Sequence, residues 1–241
     1  MKEIIENSIE WDEPLWRYFK VDRFIELIEK SSIYFAVATQ FDDIYEGAVA
    51  IQSPQYAIDS RYKEMEGVEC AFRELKRLTK ICCWHRTDYE SAAMWRLYAE
   101  SKKGVALCTT AKKIGNAIQP FRLKPSFGEE TLFAGNIEYV DLTKERLKEA
   151  GVKRFYYKHL PFSWEQEFRL SISLEKAEEF GENIQDCGID VSVNLNKLID
   201  RIVLGPNLTE NEKKRIYKAA ELHDIDSKIE MSTLVYNARF I

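Results

Sequence analysis

The sequence contains no apolar run long enough to cross a lipid bilayer. Its longest purely apolar run, residues 33–38, is far shorter than the roughly 20 residues that a membrane-spanning helix needs. Residues 1–7 also lack the apolar core of a secretion signal. We therefore expect a cytoplasmic protein that does not associate with membranes.

Paired cysteines and an excess of positive charge are missing as well. The five cysteines form no Cys-x-x-Cys motif and are odd in number, which argues against a disulfide framework or a zinc site and fits a reducing compartment. The chain has 35 Lys and Arg against 40 Asp and Glu, a net charge of −5. Bulk charge therefore gives no attraction to nucleic acid, and only a local basic patch could supply one.

Three common catalytic motifs are absent. The sequence has no glycine-rich phosphate loop, no Gly-x-Ser-x-Gly nucleophile elbow and no His-Glu-x-x-His helix, which sets aside the enzymes that depend on them. A nuclease of the Asp…Glu-x-Lys type would need a lysine at the position of Glu167.

The most informative stretch that is present is Trp-Glu-Gln-Glu-Phe-Arg-Leu-Ser-Ile, residues 164–172. As a strand it would place Glu165, Glu167, Arg169 and Ser171 on one face and Trp164, Phe168, Leu170 and Ile172 on the other, buried face. The two carboxylates would then lie about 7 Å apart. Two interpretations stay open: a salt-bridged ladder with Arg169 on an exposed sheet, or the floor of a cleft.

The hydrophobic pattern of the remaining chain predicts an α+β protein with a central, mostly antiparallel sheet flanked by helices. No linker or repeat divides it, so we predict a single globular domain over residues 1–241. Predicted strands cover residues 15–19, 33–39, 79–84, 104–108, 136–140, 189–193, 201–204 and 228–236. Predicted helices begin at Asp22, Ser53-Pro54, Ser91, Thr110, Lys144 and Thr209, and the helix from Lys144 extends to residue 157.

Several side chains have both a structural and a functional interpretation. Arg17 stands among aromatic residues as an edge-strand arginine or as an anion clamp. Asp42 and Asp43 are turn formers or, with further ligands, part of a metal site. Lys158 is expected to be solvated, with the alternative that it lines the cleft. The Met94–Tyr98 stripe is predicted to be helix core, with Met94, Leu97 and Tyr98 buried.

These residues resemble a bacterial and phage family that is classed as a domain of unknown function. The pattern of that family is a Leu-Tyr-Lys-Tyr-like strand, a Tyr-Phe-Ser strand that leads into Phe-x-Asp-Pro-x-Glu, a Met-Trp-x-x-Tyr-Ala helix, Gly-Val, a lysine, a Trp-x-x-Glu-x-Glu-x-Arg strand and an Ile-x-x-Gly-Pro turn. The matching residues here are Leu15–Tyr18, Tyr34–Ala36, Phe41–Glu46, Met94–Ala99, Gly104-Val105, Lys158, Glu165–Arg169 and Ile202–Pro206.

A second resemblance, to the ADP-ribosyltransferase superfamily, implies a fold and an activity. It implies transfer of ADP-ribose from NAD to a macromolecular acceptor, protein or nucleic acid, without a metal. Glu167 would stabilise the oxocarbenium-like sugar, Glu165 would orient the acceptor, and Arg17 would hold NAD within about 10 Å of Glu167. The NAD-binding residues implied are Arg17, Tyr18, Tyr34, Thr39, Tyr45 and Arg169. A role as a toxin or phage-defence effector, with an antitoxin or defence-system partner, is associated with the first family.

Two other classes of function remain open. One is a non-catalytic regulatory module that binds a nucleotide or a protein. The other is a metal-dependent nuclease that uses Asp42, Glu165 and Glu167. Dependence on NAD separates the transferase from both alternatives, and dependence on a divalent cation separates the nuclease.

Overall fold

The computed structural model describes residues 2–4, 9–51, 66–100 and 102–235. In these residues the strands are β1 (Lys2–Ile4), β2 (Pro14–Lys20), β3 (Ser32–Val37), β4 (Thr79–Arg86), β5 (Gly104–Thr110), β6 (Leu132–Asn136), β7 (Glu138–Val140), β8 (Tyr157–His159), β9 (Glu167–Ser173), β10 (Ile189–Ser192), β11 (Arg201–Leu204) and β12 (Ile229–Met231). The α-helices are α1 (Val21–Lys30), α2 (Glu66–Leu78), α3 (Ala92–Tyr98), α4 (Ala111–Ala117), α5 (Glu175–Glu179), α6 (Leu195–Leu198) and α7 (Glu210–Glu221).

The chain has an α+β fold with a mixed, mostly antiparallel sheet, as the sequence predicts. It forms two compact units. The first contains Met1–Ile9, Tyr34–Cys83 and Pro120–Asp190, and the second contains Glu10–Ile33, Trp84–Gln119 and Val191–Ile241. The single-domain organisation stays a prediction.

In the first unit, strand β9 is an interior strand. It pairs antiparallel with β6 and lies between β6 and β4. Strand β6 pairs in parallel with β1, and β3 pairs antiparallel with β4. Ala38, Ile81 and Phe155 form a buried apolar cluster, against which Phe41, Phe72 and Leu75 pack. The parallel pair β7 and β8 forms a separate two-stranded sheet.

The second unit is built on the antiparallel pairing of β2 with β5, which extends through β11 to β12. Its apolar cluster includes Trp16, Tyr18, Met94, Trp95 and Val203. Thr209 is the N-cap of helix α7 and forms a capping box with Glu212, in which the side chain of each accepts a hydrogen bond from the backbone N–H of the other. The prediction that Thr209 caps this helix is therefore confirmed.

In helices α1 and α3, hydrophobic periodicity alone did not predict the N-cap residue or all of the buried positions. Phe24, Leu27 and Ile28 of α1 are buried as predicted, but Asp22 does not cap the helix, because the helix begins one residue earlier, at Val21, with Lys20 at the N-cap position. In α3 the predicted burial of Leu97 and Tyr98 is wrong, since the helix presents Met94 and Trp95 to the core instead. The helix start predicted at Ser53-Pro54 lies outside the described residues.

The predicted helix over residues 144–157 is also wrong. Its first half is irregular, and a 3₁₀ helix, Gly151–Tyr156, follows it. The backbone N–H of Leu147 donates to the carbonyl of Val49 rather than to an intrahelical carbonyl. Gly151 has a positive φ of 58°, which ends any regular helix at that point.

In the described part of the chain, no helix is both long enough and apolar enough to cross a membrane.

Candidate functional site

Glu165 and Gln166 lead into strand β9 through a turn and are not part of the strand, which begins at Glu167. A 3₁₀ helix, Leu160–Glu165, precedes the strand, and Gln166 adopts the left-handed conformation with φ of 42°. Trp164 is therefore not buried on the apolar face, as predicted, but is 45% exposed. From Glu167 onward the predicted alternation is confirmed. Phe168, Leu170 and Ile172 are buried, and Glu167, Arg169 and Ser171 alternate with them.

The face of β9 that carries Arg169 is buried. It is therefore not the salt-bridged ladder on an exposed sheet that was one of the two interpretations of this stretch. The guanidinium is fully buried, and all five of its N–H donors have acceptors. Nε donates to Glu167 Oε2 at 2.7 Å and Nη2 to Glu167 Oε1 at 3.2 Å. Nη1 and Nη2 donate to the two oxygens of Glu46, and Nη1 also donates to the carbonyl of Phe155 at 2.7 Å. This complete pairing makes Arg169 a structural centre of the first unit.

Lys158 extends the cluster to the second glutamate. Its ammonium donates to Glu167 Oε1 at 2.8 Å and also to Glu165. The ring of Phe162 lies beside the ammonium, 4.9 Å from its centroid. Glu167 is therefore held between two cations, Arg169 and Lys158. The expectation that Lys158 is solvated is wrong, because it is buried against the two carboxylates.

The environment drives the pKa values of the two glutamates apart. Burial raises the pKa of Glu165 to about 8, and the hydrogen bond to Glu167 acts in the same direction. Burial opposes ionisation of Glu167 too, but the charges of Arg169 and Lys158 and the hydrogen bond from Glu165 hold its pKa well below the usual range. These opposite shifts favour the protonated form of Glu165 beside the ionised form of Glu167. Two carboxyl groups arranged in this way are typical of acid–base sites.

The cluster has one closed end and one end with residual access to solvent. The side chains of Arg169 and Glu46 are 0% exposed, whereas those of Glu165, Glu167 and Lys158 are 9%, 7% and 6% exposed. The 3₁₀ helix that leads to Glu165 carries exposed apolar side chains at Leu160 and Trp164. The residual exposure of the cluster is therefore on the side of Glu165, Glu167 and Lys158.

The other predicted binding residues divide between the two units. In the first unit, Tyr34 accepts a hydrogen bond from the N–H of Gly188, Thr39 donates to Asp186 at 2.5 Å, and the Tyr45 ring packs edge-on against His159. The ion cluster therefore contains Arg169, Glu165 and Glu167 of the predicted site, while Tyr34 and Thr39 make their hydrogen bonds to other residues.

Arg17 and Tyr18 belong to the second unit. The Arg17 guanidinium lies over the rings of Phe19 and Trp84, at 5.3 and 5.9 Å from their centroids, and the Tyr18 hydroxyl accepts from the N–H of Ser91. The predicted distance between Arg17 and Glu167 stays a prediction.

Glu46 is the site residue that sequence reasoning missed. It lies in the loop after β3, next to Gly47, whose φ is 72°. A Cβ at Gly47 would come within 2.7 Å of the Phe155 ring. In the Asp-Ile-Tyr-Glu-Gly sequence, a glutamate therefore precedes a glycine that the close contact with Phe155 and the positive φ require. This Glu-Gly pair was the feature of the sequence that could have indicated a buried glutamate here.

Among the described residues, no group of three or more His, Cys, Asp or Glu side chains could hold a metal ion. The hypothesis of a metal site therefore gains no support from them. Asp42 is exposed. The Lys158 ammonium binds both Glu165 and Glu167, so it occupies the position that a bridging cation would take.

Residues 94–170 match a family model described as "Protein of unknown function (DUF2971)". The matched stretch contains the Met94-Trp95 helix, Gly104-Val105, Lys158 and the Glu165–Arg169 segment, so the resemblance to a family of unknown function is confirmed there. No curated protein matches the chain, and no solved structure matches it.

The raised pKa of Glu165 predicts that the free energy of unfolding depends on pH. Between its ordinary pKa of 4.5 and its folded pKa of about 8, the native state keeps a proton that the unfolded state has released. The native state binds more protons, so this group lowers the free energy of unfolding as pH rises through that window. Glu167, whose folded pKa is lowered, stabilises the fold above its unfolded pKa and loses that contribution only in acid.

Replacing Glu165 by glutamine removes the raised pKa. We expect the stability of Glu165→Gln, relative to wild type, to increase between pH 6 and pH 9. Urea unfolding at both pH values measures the difference, with Glu138→Gln, an exposed position on β7, as the control. A difference that stays constant with pH would mean that Glu165 does not titrate in this window.

Proposed function

We propose that the Glu165–Glu167 pair belongs to the active site of an ADP-ribosyltransferase-like enzyme that uses NAD. One observation carries the proposal: Glu165 and Glu167, both bound by Lys158, lie at the end of the buried cluster that retains access to solvent. Opposite shifts of their pKa values support it. The ADP-ribosyltransferase-like fold, a cytoplasmic location and a toxin or phage-defence role are parts of this proposal that rest on the resemblance.

The reaction assigns a different role to each glutamate. The bond between C1′ of the ribose and the nicotinamide nitrogen breaks, its electron pair leaves with neutral nicotinamide, and positive charge develops on the sugar. Glu167, which remains ionised, can stabilise that charge. A nucleophilic atom of the acceptor then bonds to C1′ and loses its proton.

Glu165 is suited to accept that proton. A general base acts best when its pKa is near the working pH, and a pKa of about 8 places Glu165 in that range. The transfer step should therefore accelerate as pH rises towards 8 and level off above it, whereas nicotinamide release, which depends on Glu167, should not show this rise.

The two alternatives make different demands on the same residues. A metal-dependent nuclease would have to displace the Lys158 ammonium from between the carboxylates. A non-catalytic module needs only the exposed apolar side chains of residues 160–165 and no titrating pair. The opposite pKa shifts therefore favour the transferase as the first hypothesis to test.

The test is incubation of the protein with NAD labelled in its adenylate part, with a bacterial lysate as the source of acceptor. We expect free nicotinamide and label on a macromolecule, unaffected by a chelator. Nuclease digestion and protease digestion of the product identify the acceptor as nucleic acid or protein. Absence of NAD consumption across lysates would reject the transferase, and a requirement for a divalent cation would favour the nuclease.

A further inference from the structure

A second charged feature of the first unit lies around the ring of Phe72, a residue of helix α2. The Arg154 guanidinium lies 4.2 Å from the ring centroid, and the Lys76 ammonium lies 5.0 Å from it. Phe72 itself stacks on Phe155, with the ring centroids 6.3 Å apart. Two cationic groups therefore lie against one aromatic ring.

Neither cation has an acidic partner in the described part of the chain. No ion pair there involves Lys76 or Arg154, although both side chains are partly buried. The Nε–H of Arg154 is buried and has no hydrogen-bond acceptor. An unpaired buried donor destabilises the fold, and a cation–π contact supplies no acceptor for that N–H.

The acids near Lys76 form no ion pair with it in the described part of the chain. Glu46 and Asp43 are close enough to Lys76 to act on its charge, but both oxygens of Glu46 are bound by Arg169. Asp43 Oδ1 accepts from the N–H of Tyr45, and Oδ2 has no partner. Burial lowers the pKa of Arg154, and it lowers the pKa of Lys76 against the charges of Glu46 and Asp43, which act in the opposite direction.

We propose that Lys76 and Arg154, which both lie against the ring of Phe72, bind the phosphate groups of a phosphorylated ligand. The planar guanidinium can bind two phosphate oxygens at once, and the ammonium supplies a second, more compact charge. Two cations suit an anion with more than one negative charge better than a single carboxylate. The proposal holds for a substrate or for a regulatory ligand, so it does not depend on transferase activity.

The backbone connects this site to the glutamate cluster. Phe155 follows Arg154 in sequence, and its carbonyl accepts a hydrogen bond from Arg169. Phe155 is also fully buried against Phe72. The position of Arg154 is therefore fixed by the same buried network that holds Glu167, and phosphate bound at Arg154 would lie on a rigid part of the first unit.

Isothermal titration with inorganic pyrophosphate tests the site without NAD. We expect saturable binding to the wild type, weakened about tenfold or more in Lys76→Gln and in Arg154→Gln, because each loses a charge-assisted contact. Lys153→Gln, next to Arg154 but exposed, is the matched control and should bind as the wild type does. Arg154→Lys, which keeps the charge but not the planar group, should lie between.

The outcomes separate this site from the proposed chemistry. Binding of pyrophosphate that persists in Glu165→Gln would support a site independent of the glutamate pair, whether or not NAD is consumed. Equal binding of acetate and pyrophosphate, or an affinity unchanged in Lys76→Gln and Arg154→Gln, would overturn the proposal. Thermal melts of each variant establish that the protein titrated is folded.

Discussion

Replacing Arg169 by methionine is expected to destabilise the protein by about 3–5 kcal/mol, since it leaves buried carboxylates without their cation. The side chains of Glu46 and Arg169 are both 0% exposed, and among the described residues Glu46 forms its ion pair with Arg169. Glu167 would keep only Lys158. Urea unfolding of Arg169→Met and wild type at pH 7 measures the loss.

A surface arginine provides the control for this prediction. Arg122 pairs with Glu129, but the two side chains are 43% and 41% exposed, so Arg122→Met should cost less than about 1 kcal/mol. The double variant Arg169→Met/Glu46→Leu should recover part of the loss, because it removes the stranded carboxylate as well as the cation. A folded Arg169→Met that lost no more stability than Arg122→Met would show that the cluster does not stabilise this unit.

The faces of strand β9 could be predicted from the sequence because they depend only on local alternation. Phe168 and Leu170 are apolar at every second position and are buried, which a period of two requires. The start of the strand could not be predicted in this way. Gln166 takes a left-handed conformation that glycine or asparagine would normally signal, so the pattern continued through a turn that has no local signature.

The burial of the charged face depends on contacts that are distant in sequence. Arg169 and Glu46 are separated by 123 positions, and no local pattern indicates that one will neutralise the other. Without that pairing, a Glu–Arg face on a strand is expected to be exposed, because burying an unpaired charge is prohibitive. The same limit explains residues 144–157, whose helical periodicity is overridden by backbone pairing with Val49.

The predictions of function and of fold have different support. The α+β class follows from the sum of many local patterns, and errors in single elements do not change it. The role of Glu167 follows from one segment and its resemblance to an enzyme superfamily. The structure adds the two cations that bind Glu167 and an environment that shifts the pKa values of Glu165 and Glu167 in opposite directions, so the proposed role of each glutamate can be tested separately.

Glu167→Gln is expected to reduce nicotinamide release at least about a hundredfold. The amide keeps the shape of the side chain but loses the charge that would stabilise the developing oxocarbenium, a loss of about 3 kcal/mol or more. Glu165→Gln should be milder for nicotinamide release and harsher for label transfer, because its proposed role is towards the acceptor. Both rates are measured with labelled NAD and lysate, with Glu138→Gln as the control for a neutralised carboxylate elsewhere in this unit.

The coupling between the two glutamates decides how a residual activity of Glu167→Gln should be interpreted. The charge of Glu167 is one reason that the pKa of Glu165 is raised, so removing that charge favours ionisation of Glu165 at neutral pH. Glu165 could then supply part of the missing charge, and Glu165→Gln/Glu167→Gln should lose that remainder. Thermal melts establish that each variant is folded, which matters because Glu167 also binds Arg169 and Lys158. If both the single and the double variants cleave NAD at the wild-type rate, the pair is a structural part of the ion cluster and the site of catalysis lies elsewhere.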